Sequence, residues 1–311
     1  MESITYLGET LYKWTLGQST FLVWPEKGAR LMNWNLTYAD GSVRDVVYWP
    51  EIDTLENPGN IRGGNPILFP FCGRSYADNE LHQWIAPDGT RRPMPQHGFA
   101  QEGAFELLST NERGFAARLI PDAEARKAYP YEYEFTVLYR FETTVLYVEL
   151  RLKNLDKTPI PWSAGHHFYF TLPWSEGKTR KDYIARIPAK EACRHLSDGS
   201  LSPLEPPPRE TPFDSPELVN RIHTHLKKNK ITVAEASSGN SLVLRLGSDD
   251  RAPDPDTTIV TWTASDDSPY YCVEPWMGPP NSPDHYRGLH WVEPGKTSSF
   301  LVEVAVKANR T

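Results

Sequence analysis

The sequence predicts an all-β protein, a large antiparallel β-sandwich with few short helices. Three observations point there. Apolar and polar residues alternate with a period of two along much of the chain, and helical periodicity is nearly absent. In addition, 28 prolines and 20 glycines break the 311 residues into short turn-bounded runs.

Taken in order, the first expected strands are 20–24, 30–36 and 43–49, followed by 105–108 and 114–119. The alternation is clearest from Tyr131 to Phe141, where every odd position is aromatic or aliphatic and most even positions are polar. Past Glu142-Thr143, Leu146, Val148, Leu150 and Leu152 alternate with Tyr147, Glu149 and Arg151. These read as two long antiparallel strands, each with one buried and one wetter face. Residues 183–187, 242–246 and 258–262 follow, and Phe300, Val302, Val304 and Val306 close the series. Helical signals are two. Residues 122–127 fit one or two turns, and Leu218, Ile222 and Leu226 fall at helical spacing after Ser215-Pro216. Either stretch is equally compatible with an ordered loop. Residues 198–216, rich in Ser, Pro and Glu, read as an extended surface crossing, and 248–256 as an acidic turn. Strand signals flank both, and no internal repeat or boundary appears. Residues 1–311 are therefore expected to form a single sandwich domain.

Composition excludes several functions. The formal net charge is −7 and no basic stripe stands out, which argues against a nucleic-acid partner. No apolar run is long enough to span a bilayer, and the first residues lack the basic-then-apolar signature of a secretory signal. The cysteines are Cys72, Cys193 and Cys272, an odd number without C-x-x-C spacing. That pattern fits neither a disulfide framework nor a cysteine zinc site, and a reducing cytoplasm fits it best; a monomer or homodimer is expected, without a cysteine signal for either.

Four polar islands interrupt apolar, Gly/Pro-bounded sequence: 62–74, with Arg62 and Arg74; 95–100, with His97; 165–170, with His166-His167; and 271–276, with Glu274 and Trp276. Charged or titratable groups in strand-like apolar context must pair or face a cavity. Singly, each has a structural explanation. Arg62 and Arg74 suit a surface, His97 a turn, Glu274 a strand end, and one ring of the His pair should point inward and the other outward.

In combination and in this order, the islands resemble the aldose 1-epimerase (galactose mutarotase-like) family. The carrying segments are Gly64-Asn65-Pro66 through Gly73-Arg74, His97-Gly98-Phe99-Ala100, Gly165-His166-His167-Phe168-Tyr169-Phe170 and Cys272-Val273-Glu274-Pro275. The resemblance implies the family's β-supersandwich and a catalytic histidine placed before x-Tyr-Phe. That is His167, which leaves His166 in the variable place. It further implies Glu274 as the base and Arg74 and His97 as contacts to sugar oxygens. Arg62, Trp276 and Asp214, the last in a Phe213-Asp214 pair, are further substrate-binding candidates. Interconverting α and β anomers requires a base for the C1 hydroxyl and an acid for the ring oxygen, with both roles reversed on reclosure. A carboxylate and an imidazole suit that exchange. No metal and no organic cofactor is needed, and the partner is a small sugar.

The implied substrate is a neutral aldohexose. A branch acting on hexose 6-phosphates also shows Arg-Gly-Gly before the proline, as in Arg62-Gly63-Gly64, but follows His-Gly-Phe-Ala with Arg where Gln101 stands here. Two further alternatives remain. One is a metal-dependent β protein using the spacing of His223 and His225; the other is a non-catalytic carbohydrate-binding protein of the same fold. Retention of both His167 and Glu274 argues against the latter.

Overall fold

Phe135, Val137, Tyr139 and Phe141 project to one side of strand Tyr133–Phe141 and are buried, while Arg140 between the last two is exposed. Strand Val145–Asn154 does the same with Leu146, Val148, Leu150 and Leu152, and the two strands pair antiparallel with Phe135 opposite Leu152. This burial of one face forces a second layer to cover it. The computed structural model, which describes residues 1–206 and 208–307, supplies that layer.

Among the described residues, the two large sheets have nine and thirteen strands, and three two-stranded ladders lie outside them. The nine-stranded sheet runs Ala104–Asn111, Gly114–Ile120, Tyr133–Phe141, Val145–Asn154, Thr297–Lys307, Ser241–Leu246, Lys230–Glu235, Tyr183–Arg186 and Thr211–Pro212. The larger sheet begins with Glu2–Tyr6, Glu9–Leu16, Ser19–Trp24, Arg30–Thr37 and Val43–Val47. It continues through Tyr169–Thr171, Tyr270–Trp276, Thr258–Trp262, Arg221–Leu226, Ala189–His195 and Leu201–Leu204, with Ile67–Leu68 and Gly165–His166 joined to it at the side. All ladders between these strands are antiparallel. Trp14, Phe21, Trp34, Phe69, Phe135 and Phe141 fill the space between sheets, with Phe69 stacked on Phe135 at 3.9 Å. The expected all-β sandwich with few short helices is what is observed, and no helix among the described residues is long and apolar enough to cross a membrane.

One of the two helical expectations holds. Ala123–Ala128 is a helix whose N-cap, Asp122, accepts the Ala125 N–H at 2.8 Å. The second is overturned. Pro216–Leu218 forms a single 3-10 turn, and Arg221–Leu226 is a strand held on both sides by Ala189–His195 and Thr258–Trp262. The helical spacing of Leu218, Ile222 and Leu226 gives way to two ladders of backbone hydrogen bonds, which no helix could satisfy at that place. The crossing at 198–216 is also more ordered than expected. Leu201–Leu204 returns as a hairpin partner of Ala189–His195, and Thr211–Pro212 pairs with Tyr183–Arg186. Pro207 lies outside the described residues.

His223 and His225 do not share a ligand. Thr261 gives its hydroxyl proton to the Leu218 carbonyl at 2.6 Å and so accepts from His223 Nε2 at 3.1 Å, whereas His225 Nδ1 lies 3.2 Å from Glu191. Burial lowers the His223 pKa from 6.5 to about 3. The folded state therefore keeps this ring neutral where the unfolded chain takes up a proton. Its contribution to stability is complete above pH 6.5 and is lost as pH falls, by about 2 kcal/mol at pH 5. In His223→Asn, the loss of unfolding free energy between pH 7 and pH 5 is expected to shrink by about that amount, read by urea unfolding at the two pH values.

Candidate active site

The central strand of the larger sheet, Tyr270–Trp276, carries Cys272, Glu274 and Trp276 on one face, as residues two apart must be. Its neighbour Tyr169–Thr171 pairs Tyr169 with Cys272, and Gly165 pairs with both Trp276 and Leu68. Gly165 has no room for a side chain. A Cβ there would stand 2.6 Å from the Trp276 ring and 2.8 Å from Cys72 Sγ. The chain between these short strands holds His167, whose N–H donates to the Pro66 carbonyl at 3.1 Å.

The two adjacent histidines separate as a strand requires. His166 points between the sheets, fully buried, where Asn65 Nδ2 approaches its Nδ1 at 3.2 Å and Phe168 and Phe300 stack on it. His167 points away from that core into a cavity of about 960 Å³. There its Nε2 lies 3.4 Å from Glu274 Oε2, with side-chain exposures of 11% and 2%. Tyr169 stacks on the imidazole at 4.7 Å, the two rings nearly parallel at 7°.

His97 reaches the same cavity from a turn. It adopts φ 66°, and the following Gly98 has φ 72° with a notional Cβ only 1.9 Å from the Phe69 carbonyl oxygen, so that position admits glycine alone. His97 N–H donates to the Gly73 carbonyl at 2.7 Å, and Gly73 N–H donates to His97 Nδ1 at 3.1 Å. This double clasp leaves the neutral ring's proton on Nε2, which meets the Gln96 side-chain amide at 3.2 Å on the cavity wall. His97 also packs edge-on against His167 at 5.4 Å and Trp276 at 5.7 Å.

Burial sets the electrostatics. It pushes the Glu274 carboxyl well above the usual range and the His167 imidazole well below it, the nearby His97 adding to the latter. His97 is lowered to about 4 by the same cause. Each of these groups is thus drawn toward its uncharged form.

The structure brings together six of the seven residues expected from the sequence: Arg62, Arg74, His97, His167, Glu274 and Trp276 all line the cavity. Asp214 does not join them. The strand before it pairs in the other sheet, and Phe213 is buried against Tyr271, which leaves Asp214 exposed and outside the lining. Trp276 is itself nearly buried and forms part of the wall with Leu68, Cys72, Ile222 and Val260.

A protein-family model described as aldose 1-epimerase matches residues 11–282. The chain belongs to the aldose 1-epimerase family. It is 28% identical over 242 residues to the chromosomal protein LacX of Lactococcus lactis, across 71% of this chain and 76% of LacX. The crystal structure of a galactose mutarotase-like protein from Clostridium acetobutylicum superposes with a TM-score of 0.79 at 18% identity, covering 99% of this chain and 98% of that one. Galactose 1-epimerase from Lactobacillus acidophilus superposes with a TM-score of 0.65 at 14% identity, covering 99% of each chain. At such identities the likeness shows the fold, which is galactose mutarotase-like.

The cavity of this aldose 1-epimerase family member also contains residues that the sequence did not single out. Trp262 lies edge-on to His167 at 5.9 Å with the Arg62 guanidinium over its ring at 5.7 Å. Arg194, His195 and Asn220 also belong to the lining. The available signal for Trp262 was its place at the end of an expected strand. Arg194 carried no signal, because its strand reaches the cavity only through the order of the sheet.

Proposed function

We propose that the protein is a cofactor-independent aldose 1-epimerase, with Glu274 as base and His167 as acid. The observation that carries this reading is the approach of Glu274 Oε2 to His167 Nε2, 3.4 Å apart at a cavity wall and both largely dehydrated. Among the described residues neither Glu274 Oε2 nor His167 Nδ1 has a hydrogen-bond partner, so the pair has capacity left for a ligand.

In the forward half-reaction, Glu274 as carboxylate takes the C1 hydroxyl proton while imidazolium His167 protonates the ring oxygen. The C1–O5 bond breaks and an open-chain aldehyde forms. The pair is then carboxylic acid and neutral imidazole, the forms that burial favours. Rotation about C1–C2 turns the other carbonyl face, and the reverse transfers close the ring as the other anomer. Both stages carry no net charge on the pair, so the dehydrated wall never hosts an isolated ion. His97 Nε2–H and the Arg74 and Arg62 guanidiniums supply donors to sugar oxygens, and Trp276 with Trp262 supplies apolar wall.

A neutral aldohexose satisfies this chemistry. A phosphorylated hexose is a second reading, favoured by one observation. Arg62, Arg74 and Arg194 all line the cavity, and none forms an ion pair with a carboxylate among the described residues. Three such cations suit an anionic substituent.

Polarimetry of freshly dissolved α-glucose and α-galactose tests the reading. The expected result is equilibration faster than in buffer and unchanged by EDTA. A rate that EDTA abolishes and added metal restores would instead favour the metal-dependent alternative.

A further inference from the structure

Cys272 stands two residues before Glu274 on the same strand face and opposite Tyr169 in the ladder, fully buried behind the cavity lining. The acid–base chemistry does not use it. Yet its Sγ, a ring nitrogen of His167 and a carboxylate oxygen of Glu274 all lie within 4.8 Å of one another. We propose that these three side chains form a binding site for a zinc-type divalent transition metal at the base of the cavity, and that an ion held there excludes the sugar.

The donor set decides the chemical class. One thiolate, one imidazole and one carboxylate is a borderline-soft combination suited to zinc or cobalt(II) and poorly suited to magnesium or calcium, which take oxygen ligands. Metal–ligand bonds of about 2.0–2.3 Å in a tetrahedral site place ligand atoms about 3.3–3.8 Å apart. The 3.4 Å separation of His167 Nε2 and Glu274 Oε2 already falls in that range, and only the sulfur must close in. Three protein ligands leave the fourth position toward the cavity, where a water completes the shell. Among the described residues Glu274 Oε2 is buried without a hydrogen bond, so an ion would replace only its 3.4 Å approach to His167 Nε2. Binding releases the Cys272 thiol proton and the Glu274 carboxyl proton to the buffer, and forms the metal–sulfur and metal–oxygen bonds in their place. An ion bonded to His167 and Glu274 occupies the two atoms that transfer protons to and from the sugar.

The site stands on donor geometry and is independent of any sugar being turned over, so its test reads metal directly. Cobalt(II) is titrated into the full chain after treatment with chelator. The expected result is one ion per chain with a thiolate-to-cobalt charge-transfer band. Cys272→Ser should abolish the band, whereas Cys72→Ser and Cys193→Ser should retain it. Absence of the band in the wild-type protein at stoichiometric cobalt overturns the site without recourse to any variant. Its persistence in Cys272→Ser overturns the assignment of the sulfur ligand. In the anomerisation assay, zinc should lower the rate in proportion to occupancy, and an unchanged or raised rate with the site filled contradicts the exclusion of sugar.

Discussion

Glu274→Gln is expected to slow anomer exchange by about 10²–10⁴-fold, with the change confined to kcat. The substitution keeps the shape of the side chain and removes its ability to accept and return a proton. Glu274 is 2% exposed and burial already favours its uncharged form, so a neutral amide is well tolerated and thermal stability should change little. His167→Asn is expected to lose a similar factor, because reclosure needs the imidazole to take back the ring-oxygen proton. The double variant should be hardly slower than either single one, since each removes the same proton circuit. Steady-state polarimetry of the three variants against wild type checks all of this. Losses that multiply in the double variant would mean that the two residues act separately.

Arg30→Met is expected to cost about 3 kcal/mol or more of stability and to raise KM more than it lowers kcat. Arg30 is 1% exposed and has no carboxylate partner among the described residues. Its guanidinium instead donates to three backbone carbonyls: Pro58 at 2.5 Å, Ile61 at 2.6 Å and Gly63 at 2.7 Å. These bonds hold the segment that presents Asn60 and Arg62 to the cavity. Methionine preserves the apolar stem and bulk but removes three charge-assisted donors; the Pro58 and Ile61 carbonyls keep the Ile61 and Gly63 N–H groups, whereas the Gly63 carbonyl loses the donor Arg30 gave it, at about 1–3 kcal/mol if it stays buried. The segment escapes that cost only by moving, and Arg62 moves with it. His167 and Glu274 sit on other elements, so the chemical step should suffer less than substrate binding. Urea unfolding and the separate KM and kcat values check the two halves of this expectation.

The legibility of this site in the sequence follows from what is local and what is not. Phe135 through Phe141 announce a strand because side-chain direction has a fixed period along the chain. His167 and Glu274 are legible because each sits in a short segment whose backbone must be unusual, between glycines, prolines and aromatics. Trp262 and Arg194 enter the cavity through strand neighbours far away in sequence, which no local pattern encodes. Arg30 reads as an ordinary strand residue, since its partners are carbonyls about thirty positions onward. Asp214 shows the opposite error: a two-residue likeness carried no information about the sheet to which its strand belongs. Leu218, Ile222 and Leu226 mislead for a related reason, because a turn followed by a strand spaces three apolar residues as a helix would.

The central claim is that the dehydrated pair at the cavity wall opens and recloses a sugar ring. Anomer exchange measured by NMR at equilibrium tests it most directly, over a panel of neutral and 6-phosphorylated aldoses, with wild type and Glu274→Gln side by side. The account predicts exchange between α and β C1 resonances faster than in buffer for at least one sugar with wild type, and a return to near the buffer rate with the variant. Wild-type protein that leaves every sugar at the buffer rate, or a Glu274→Gln variant as fast as wild type, would contradict it.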